Sequence, residues 1–189
     1  DSLFGFDSDI CLNSNGFFVA KLDFDGQLID LFSFPCFSNT STGLVTRDVC
    51  FDSEGNILLV RMGGAYSNPQ ILKLDSDLNL IQYKNLTENI YVKPNLPFAV
   101  NISVDSENNP YVLFTISESA WQDFSSGGFD SNNISYFNDD GNDLITLIKL
   151  DTNLNSSWAV LFEHFSNNSY GKGLVTIDDK IFVFTQYGG

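Results

Sequence analysis

Short apolar segments of strand length alternate with polar turns along the chain. Three of them end in Lys-Leu-Asp, at Asp23, Asp75 and Asp151, and each leads into a turn rich in Asp, Asn and Gly. A second family of segments spans 48–60, 101–114 and 174–184, with its own acidic turn inside each segment. No window keeps a helical period, and the segments alternate or run apolar at strand length. The pattern predicts an all-β chain.

The segments recur at a spacing of about 50 residues, which is typical of β-propeller blades of four antiparallel strands. We name the strands of one blade A to D, from the innermost outward, with Lys-Leu-Asp at the end of strand C. The predicted blade pieces are 1–34, 44–85, 98–163 and 172–187, with an insertion loop at 116–142. They amount to about three blades in one propeller segment, 1–189. Because a closed ring needs at least four blades, the segment is predicted to belong to a larger propeller or to be completed by another chain.

Composition narrows the classes of partner. Hydrophobic residues make up 43% of the chain and charged residues 17%, and the formal net charge is −15. So acidic a surface repels phosphate backbones and anionic lipid, which excludes nucleic acid as a partner. No apolar run has the length that membrane insertion requires. Three cysteines, Cys11, Cys36 and Cys50, leave two alternatives open: a bridge such as Cys36 to Cys50, or buried free thiols.

Two hairpins carry a family resemblance. Residues 17–28 (FFVAKLDFDGQL) and residues 49–60 (VCFDSEGNILLV) resemble the β-propeller repeats often called SBBP, which occur in bacterial and archaeal surface or secreted proteins. NHL-type propellers are similar in their Asp-x-x-Gly-Asn hairpin. Later units depart from the pattern, since Asn109-Pro110 replaces Gly-Asn and Asp178-Asp179 shortens the turn. The resemblance implies a propeller fold and no catalytic residues.

The insertion loop is the first candidate binding region, because long irregular loops on a rigid scaffold are frequent binding sites. Its aromatic residues suit a sugar ring or a protein partner; alternatively, they pack against one another inside the loop. Arg47, Arg61 and the neighbouring Tyr66 are further candidates, since an arginine binds a carboxylate ligand with two hydrogen bonds. The alternative for both arginines is an internal ion pair. The aromatic candidates of the loop are Trp121, Phe124 and Tyr136.

The acidic turns allow two interpretations. Oxygen-bearing side chains at alternate positions, as in Asp75-Ser-Asp-Leu-Asn79, resemble the start of a Ca²⁺ loop, but the Gly and Glu of an EF-hand are missing. Ordinary hairpin chemistry explains the same residues. We therefore expect no cofactor, with Ca²⁺ as the alternative. The one histidine, His164, lies in a predicted loop without a nucleophile motif, so no catalytic residue is assigned.

The sequence thus predicts a non-catalytic propeller segment, extracellular or on the cell surface, with a structural, adhesive or assembly role. One version is a filament subunit whose partners are copies of itself. Alternatives are a lectin-like module that binds a protein or glycan partner through the insertion, and a propeller hydrolase or lyase. Candidate glycosylation sites in predicted loops fit a surface location; they are Asn39, Asn133 and Asn167.

Overall fold

A computed structural model describes residues 17–34, 45–62, 70–86, 100–116, 134–135, 144–162, 170–178 and 180–186. The regular elements in these ranges are strands, so the all-β prediction is confirmed. In chain order they are β1 (Phe17–Leu22), β2 (Leu28–Phe34), β3 (Val45–Phe51), β4 (Ile57–Met62), β5 (Gln70–Leu74), β6 (Leu80–Asn85), β7 (Asn101–Val104), β8 (Pro110–Ile116), β9 (Ile134–Ser135), β10 (Leu144–Leu150), β11 (Ser156–Phe162), β12 (Tyr170–Ile177) and β13 (Lys180–Gln186).

The strands form four sheets, which we number in chain order. Sheet 2 (β3 to β6) and the main part of sheet 3 (β7, β8, β10 and β11) are four-stranded antiparallel meanders, in the order predicted for strands A to D. Sheet 1 pairs β1 with β2, which correspond to C and D, and sheet 4 pairs β12 with β13, which correspond to A and B. These four sheets do not close into a ring within the described ranges.

Sheet 3 differs from the prediction at its outer edge. The insertion predicted as a loop over 116–142 contributes β9, which pairs in parallel with Ala159 and Val160 of β11. The prediction of four antiparallel strands is therefore incomplete for this sheet, which has a fifth, parallel strand. A two-residue strand is too short to leave an alternating pattern in the sequence, so nothing in the pattern indicated it.

The sheets pack face to face in chain order, and apolar clusters lie between them. Leu58 of sheet 2 shares one cluster with Val112 and Phe114 of sheet 3. Sheet 1 packs Val19 and Phe32 on sheet 2, and sheet 4 buries Leu174 against sheet 3. Burial of these side chains is the main force that holds one sheet to the next.

The first strands of sheets 2, 3 and 4 lie side by side. The backbone N–H of Ile102 in β7 donates to Asp48 Oδ2 of β3 at 3.0 Å. On the other side of β7, the hydroxyls of Ser103 and Thr176 are 2.8 Å apart. Strands β3, β7 and β12 therefore form the inner margin of the stack.

The turns after β1, β3, β5, β7 and β10 share one geometry. In each, the aspartate N–H donates to the carbonyl four residues later, and the residue three positions on has a positive φ. Gly26 and Gly55 take this conformation without a side-chain penalty. Leu78 and Leu154 also adopt it, at φ 62° and 58°, and both side chains are buried. Burial offsets the backbone strain at these two positions.

Sheet 4 has a tighter turn, and this shifts its faces by one residue. Ile177 pairs with Lys180, whereas in sheet 2 the last pair is Phe51 with Ile57. Asp178 has φ 53°, as a two-residue hairpin turn requires. Thr176, rather than Ile177, consequently faces the preceding sheet. The shorter turn at Asp178-Asp179, which the sequence already indicated, causes this shift of one residue.

Candidate functional site

The acidic turns use their carboxylates for their own backbone. Asp75 Oδ1 accepts from the N–H of Asp77 at 2.9 Å and from that of Asn79 at 2.8 Å. The same pair of bonds recurs at the other four turns. In the described part of the chain no group of three or more His, Cys, Asp or Glu could hold a metal ion. Turn chemistry accounts for the Asp and Asn pattern there.

The lysine of Lys-Leu-Asp binds the aspartate of the A–B turn in its own sheet. Lys73 Nζ lies 2.9 Å from Asp52 Oδ2, and both side chains are largely buried. Lys149 Nζ lies 3.3 Å from Asp105 Oδ2. The two repeated sequence motifs are therefore halves of one ion pair that spans strand B.

Lys21 occupies the same motif in sheet 1 but has a different partner. Its ammonium donates to the carbonyl of Ser76 at 2.8 Å and lies 3.6 Å from Asp77, both in the next sheet. The described residues include no A–B turn for sheet 1. The ion pair of the complete sheets is thus missing at this end of the described stack.

Tyr111 completes the ion pair of sheet 3. Its hydroxyl donates to Asp105 Oδ2 at 3.1 Å, and Lys149 Nζ lies 5.2 Å from the centre of its ring. The contact with Tyr111 is the main cause that raises the pKa of Lys149. Burial alone would raise the pKa of Asp105, but hydrogen bonds from Asn109, Tyr111 and Lys149 outweigh it and lower that pKa.

A cleft of about 200 Å³ lies between sheets 3 and 4 beside this ion pair. Charged side chains of both signs line it, among them Glu107, Asp178 and Lys180. Asp105 and Lys149 also line the cleft, but they are already paired with each other. Of the five charged side chains that line the cleft, Asp105 and Lys149 are thus occupied by each other.

The two candidate arginines occupy different environments. Arg61 is only 1% exposed, its Nε donates to Gln70 Oε1 at 2.6 Å, and its guanidinium lies over the ring of Tyr83. Arg47 is exposed on β3, at a β-bulge between Thr46 and Asp48. The two arginines therefore differ in their access to solvent, and ligand binding by either stays a prediction.

An apolar groove of about 530 Å³ opens beside β1, on the side of sheet 2 that sheet 1 leaves uncovered. Phe18 and Ala20 of β1 line one wall, and Val49, Phe51 and Leu59 of sheet 2 line the other. Val49 is 47% exposed and Phe51 66%. We call this feature the groove.

The opposite end of the stack also shows apolar side chains to solvent. Val175, Ile177, Phe182 and Phe184 project from sheet 4 on the side away from sheet 3, and each is more than two-fifths exposed. We call these four residues the hairpin face. Protein–protein contacts often use exposed apolar patches of this kind.

Sequence reasoning missed both apolar ends. Val49, Phe51 and Phe184 alternate with polar or inward residues as core strands do, so their pattern resembles that of buried positions. Only the number of neighbouring sheets decides whether such a residue is covered. The signal that could have identified them was the incomplete first and last unit.

The remaining candidates lie outside the described residues and stay predictions. They are Tyr66, Trp121, Phe124, Tyr136 and His164, with the glycosylation candidates Asn39, Asn133 and Asn167. Cys50 is described, and it is a free thiol. Burial and, secondarily, the nearby Asp48 and Asp52 raise its pKa to about 12, which makes it a poor nucleophile at neutral pH.

Comparison with protein-family models gives no match, and comparison with curated proteins gives none either. Among the described residues no helix is long and apolar enough to cross a membrane.

Proposed function

We propose that this chain is a segment of a β-propeller, related to the SBBP-type repeats, with a non-catalytic structural or assembly role outside the cell or on its surface. Its sheets would be blades, and β3, β7 and β12 would be innermost strands around a common axis. Three observations support the fold: the A–D meanders, the face-to-face packing in chain order, and the adjacency of the inner strands.

The two apolar ends carry the assembly role. The groove and the hairpin face lie on the first and last sheets, where a propeller would continue into further blades. Apolar surface of this kind is costly in water, and covering it stabilises an assembly by about 25 cal/mol for each Å² buried. The formal net charge of −15 favours solubility of the chain.

Sedimentation equilibrium over a wide range of protein concentration tests this role. We expect the chain to associate, and binding of an apolar dye to fall as it does so because the ends become covered. A chain that stays monomeric at every concentration and binds the dye throughout would contradict the proposal.

A second candidate function rests on β9. This strand attaches residues 134–135 of the insertion to β11, at the outer edge of sheet 3. A lectin-like module would bind glycans through its aromatic residues. If the chain binds a glycan on an array, and Trp121→Ala abolishes this binding without loss of association, the result would favour this function. If no glycan on the array is bound, the function would be excluded.

A further inference from the structure

The interface between sheets 2 and 3 shows what covers the inner half of a sheet, that is, its strands A and B. Ile102 and Val104 of β7 face sheet 2: Ile102 belongs to the cluster that contains Leu58 and Val60 of β4, and Val104 packs against it. Cys50 of β3 packs against the same cluster. Strands A and B of sheet 3 are therefore covered by the outward face of the A–B hairpin of sheet 2.

In sheet 2, Val49 and Phe51 take the positions that Ile102 and Val104 hold in sheet 3. Val49 pairs with Leu59 across the A–B hairpin as Ile102 pairs with Val112, and Phe51 precedes the turn as Val104 does. In sheet 2, however, these positions line the groove and remain exposed. The groove continues the apolar interface between sheets 1 and 2, so it has the form of an internal interface whose inner half is uncovered.

Sheet 4 is an A–B hairpin whose outward face is uncovered. In its shifted register, Val175, Phe182 and Phe184 take the positions that Cys50, Leu58 and Val60 hold in sheet 2. Three residues that are buried or half-buried in one sheet thus have exposed apolar counterparts in the other.

We propose that the β12–β13 hairpin of one copy of this chain occupies the groove of a second copy, with β13 paired antiparallel to β1. The result is a four-stranded sheet in the order β12-β13-β1-β2, with its first two strands from one copy and its last two from the other. This inference rests on the proposed propeller fold. In the register of β4 with β5, where Leu58 pairs with Lys73, Phe182 lies opposite Lys21.

At the turn end of this sheet Lys21 has Asp77 as its partner within its own copy, and Asp178 would be a second one. In sheets 2 and 3 the C-strand lysine binds an aspartate of the A–B turn. The groove supplies Lys21, and the hairpin brings Asp178 in its turn. A lysine and an aspartate thus meet at the end of the sheet where both complete sheets form their ion pair.

The number of sheets fixes the number of copies. The described residues of one chain supply two complete sheets and two half sheets, which together make three. Two copies then supply six, a number within the range of about four to eight blades that closed propellers use. The expected species is a two-copy ring in which the hairpin–groove contact occurs twice.

Sedimentation equilibrium of the whole chain should therefore show a limiting mass of twice 21.0 kDa. Phe51→Asp places a charge in the groove, and Phe184→Asp places one on the hairpin face. Each variant alone should remain monomeric. Phe24→Asp is the matched control, because Phe24 is fully exposed in the turn after β1, outside both surfaces, and this variant should still dimerise.

Mixing the two monomeric variants is the decisive experiment. The Phe51→Asp chain keeps an intact hairpin and the Phe184→Asp chain keeps an intact groove, so a 1:1 mixture should form a dimer through one contact. Circular dichroism with the strand signature of the parent chain shows that each variant is folded. Folded variants that do not associate on mixing, or that dimerise alone, would overturn the inference.

Zero-length carbodiimide coupling of the unaltered chain provides a readout that needs no variant. A mixture of ¹⁵N-labelled and unlabelled chains should give a cross-link between Lys21 of one copy and Asp178 of the other. If the chain associates without this cross-link and without complementation between the variants, the inference fails while the assembly role stands. If the chain never associates, the assembly role fails as well.

Discussion

The interface between sheets 2 and 3 and that between sheets 1 and 2 are two versions of one contact. In the first, Ile102 is 3% exposed beneath an A–B hairpin. In the second, the equivalent Val49 is 47% exposed because the described part of sheet 1 contains only strands C and D. The same strand pattern therefore produces core in one place and surface in another, according to what lies beside it.

The largest expected effect on stability is the difference between losing Phe114, in the covered contact, and losing Phe51, in the uncovered one. Phe114 is fully buried between sheets 2 and 3, and Phe114→Ala should lower the free energy of unfolding by about 3–5 kcal/mol. Phe51→Ala, at the uncovered contact, should cost less than about 1 kcal/mol in the monomer. Urea denaturation at low protein concentration measures both. Similar losses would show that the two contacts are equally covered.

The second effect contrasts the ion pairs of a complete and an incomplete sheet. Asp52→Ala leaves Lys73 without its carboxylate and should cost about 3 kcal/mol, because both side chains are shielded from solvent. Asp77→Ala removes the exposed partner of Lys21 and should cost less than about 0.5 kcal/mol. The same denaturation experiment reports both values. An Asp77 loss as large as that of Asp52 would show that the Lys21–Asp77 pair is as well shielded from solvent as the Lys73–Asp52 pair.

The third effect concerns Leu154, a turn residue whose side chain is buried between sheets 2 and 3. Leu154→Gly relieves a positive φ, worth about 1 kcal/mol, but removes a fully buried side chain worth about 3 kcal/mol. The net loss should be about 2 kcal/mol. Gly55→Ala changes only the backbone, since no atom lies within 4 Å of the added Cβ, and should cost about 1 kcal/mol. A stabilising Leu154→Gly would mean that strain outweighs burial.

The smallest expected effect is the dependence of the free energy of unfolding on pH. The pKa values of Asp52, Asp75, Asp105 and Asp151 lie below the ordinary 3.8. Their contribution to stability is therefore complete above the unfolded pKa and is lost as pH falls from about 5 through the lower folded values. Urea midpoints between pH 7 and 2 should show this loss, and Asp52→Ala should reduce it. Midpoints that stay constant below pH 4 would contradict it.

Strand order was predictable from sequence because it depends on local pattern. Period-two alternation and the turn residues after Leu74 and Leu150 placed strands C and D and the meander order. Side-chain environment was less predictable. Leu78 stands among polar turn residues and is nevertheless buried, because a positive φ directs it back toward the neighbouring sheet.

The candidate site was predictable only in part. Arg61 was identified as a scarce cation, but its burial depends on Gln70 and Tyr83 from two other strands. The Lys73–Asp52 pair joins two repeated motifs that the sequence displays separately, and nothing local indicates that they meet. The exposure of the apolar residues at the two ends of the stack depends on how many sheets are present, and no single sequence segment indicates that number.

The short strand β9 has a consequence for misassembly. An open outer strand attracts foreign strands and is a common starting point for amyloid. β9 shields β11 in sheet 3. In sheet 2 the outer strand β6 carries Gln82 and Lys84, which bond to Asn153 and Asn155 of the adjacent turn. Both contacts leave less free strand edge on sheets 2 and 3 for the pairing of foreign strands, while the two ends of the described stack remain apolar.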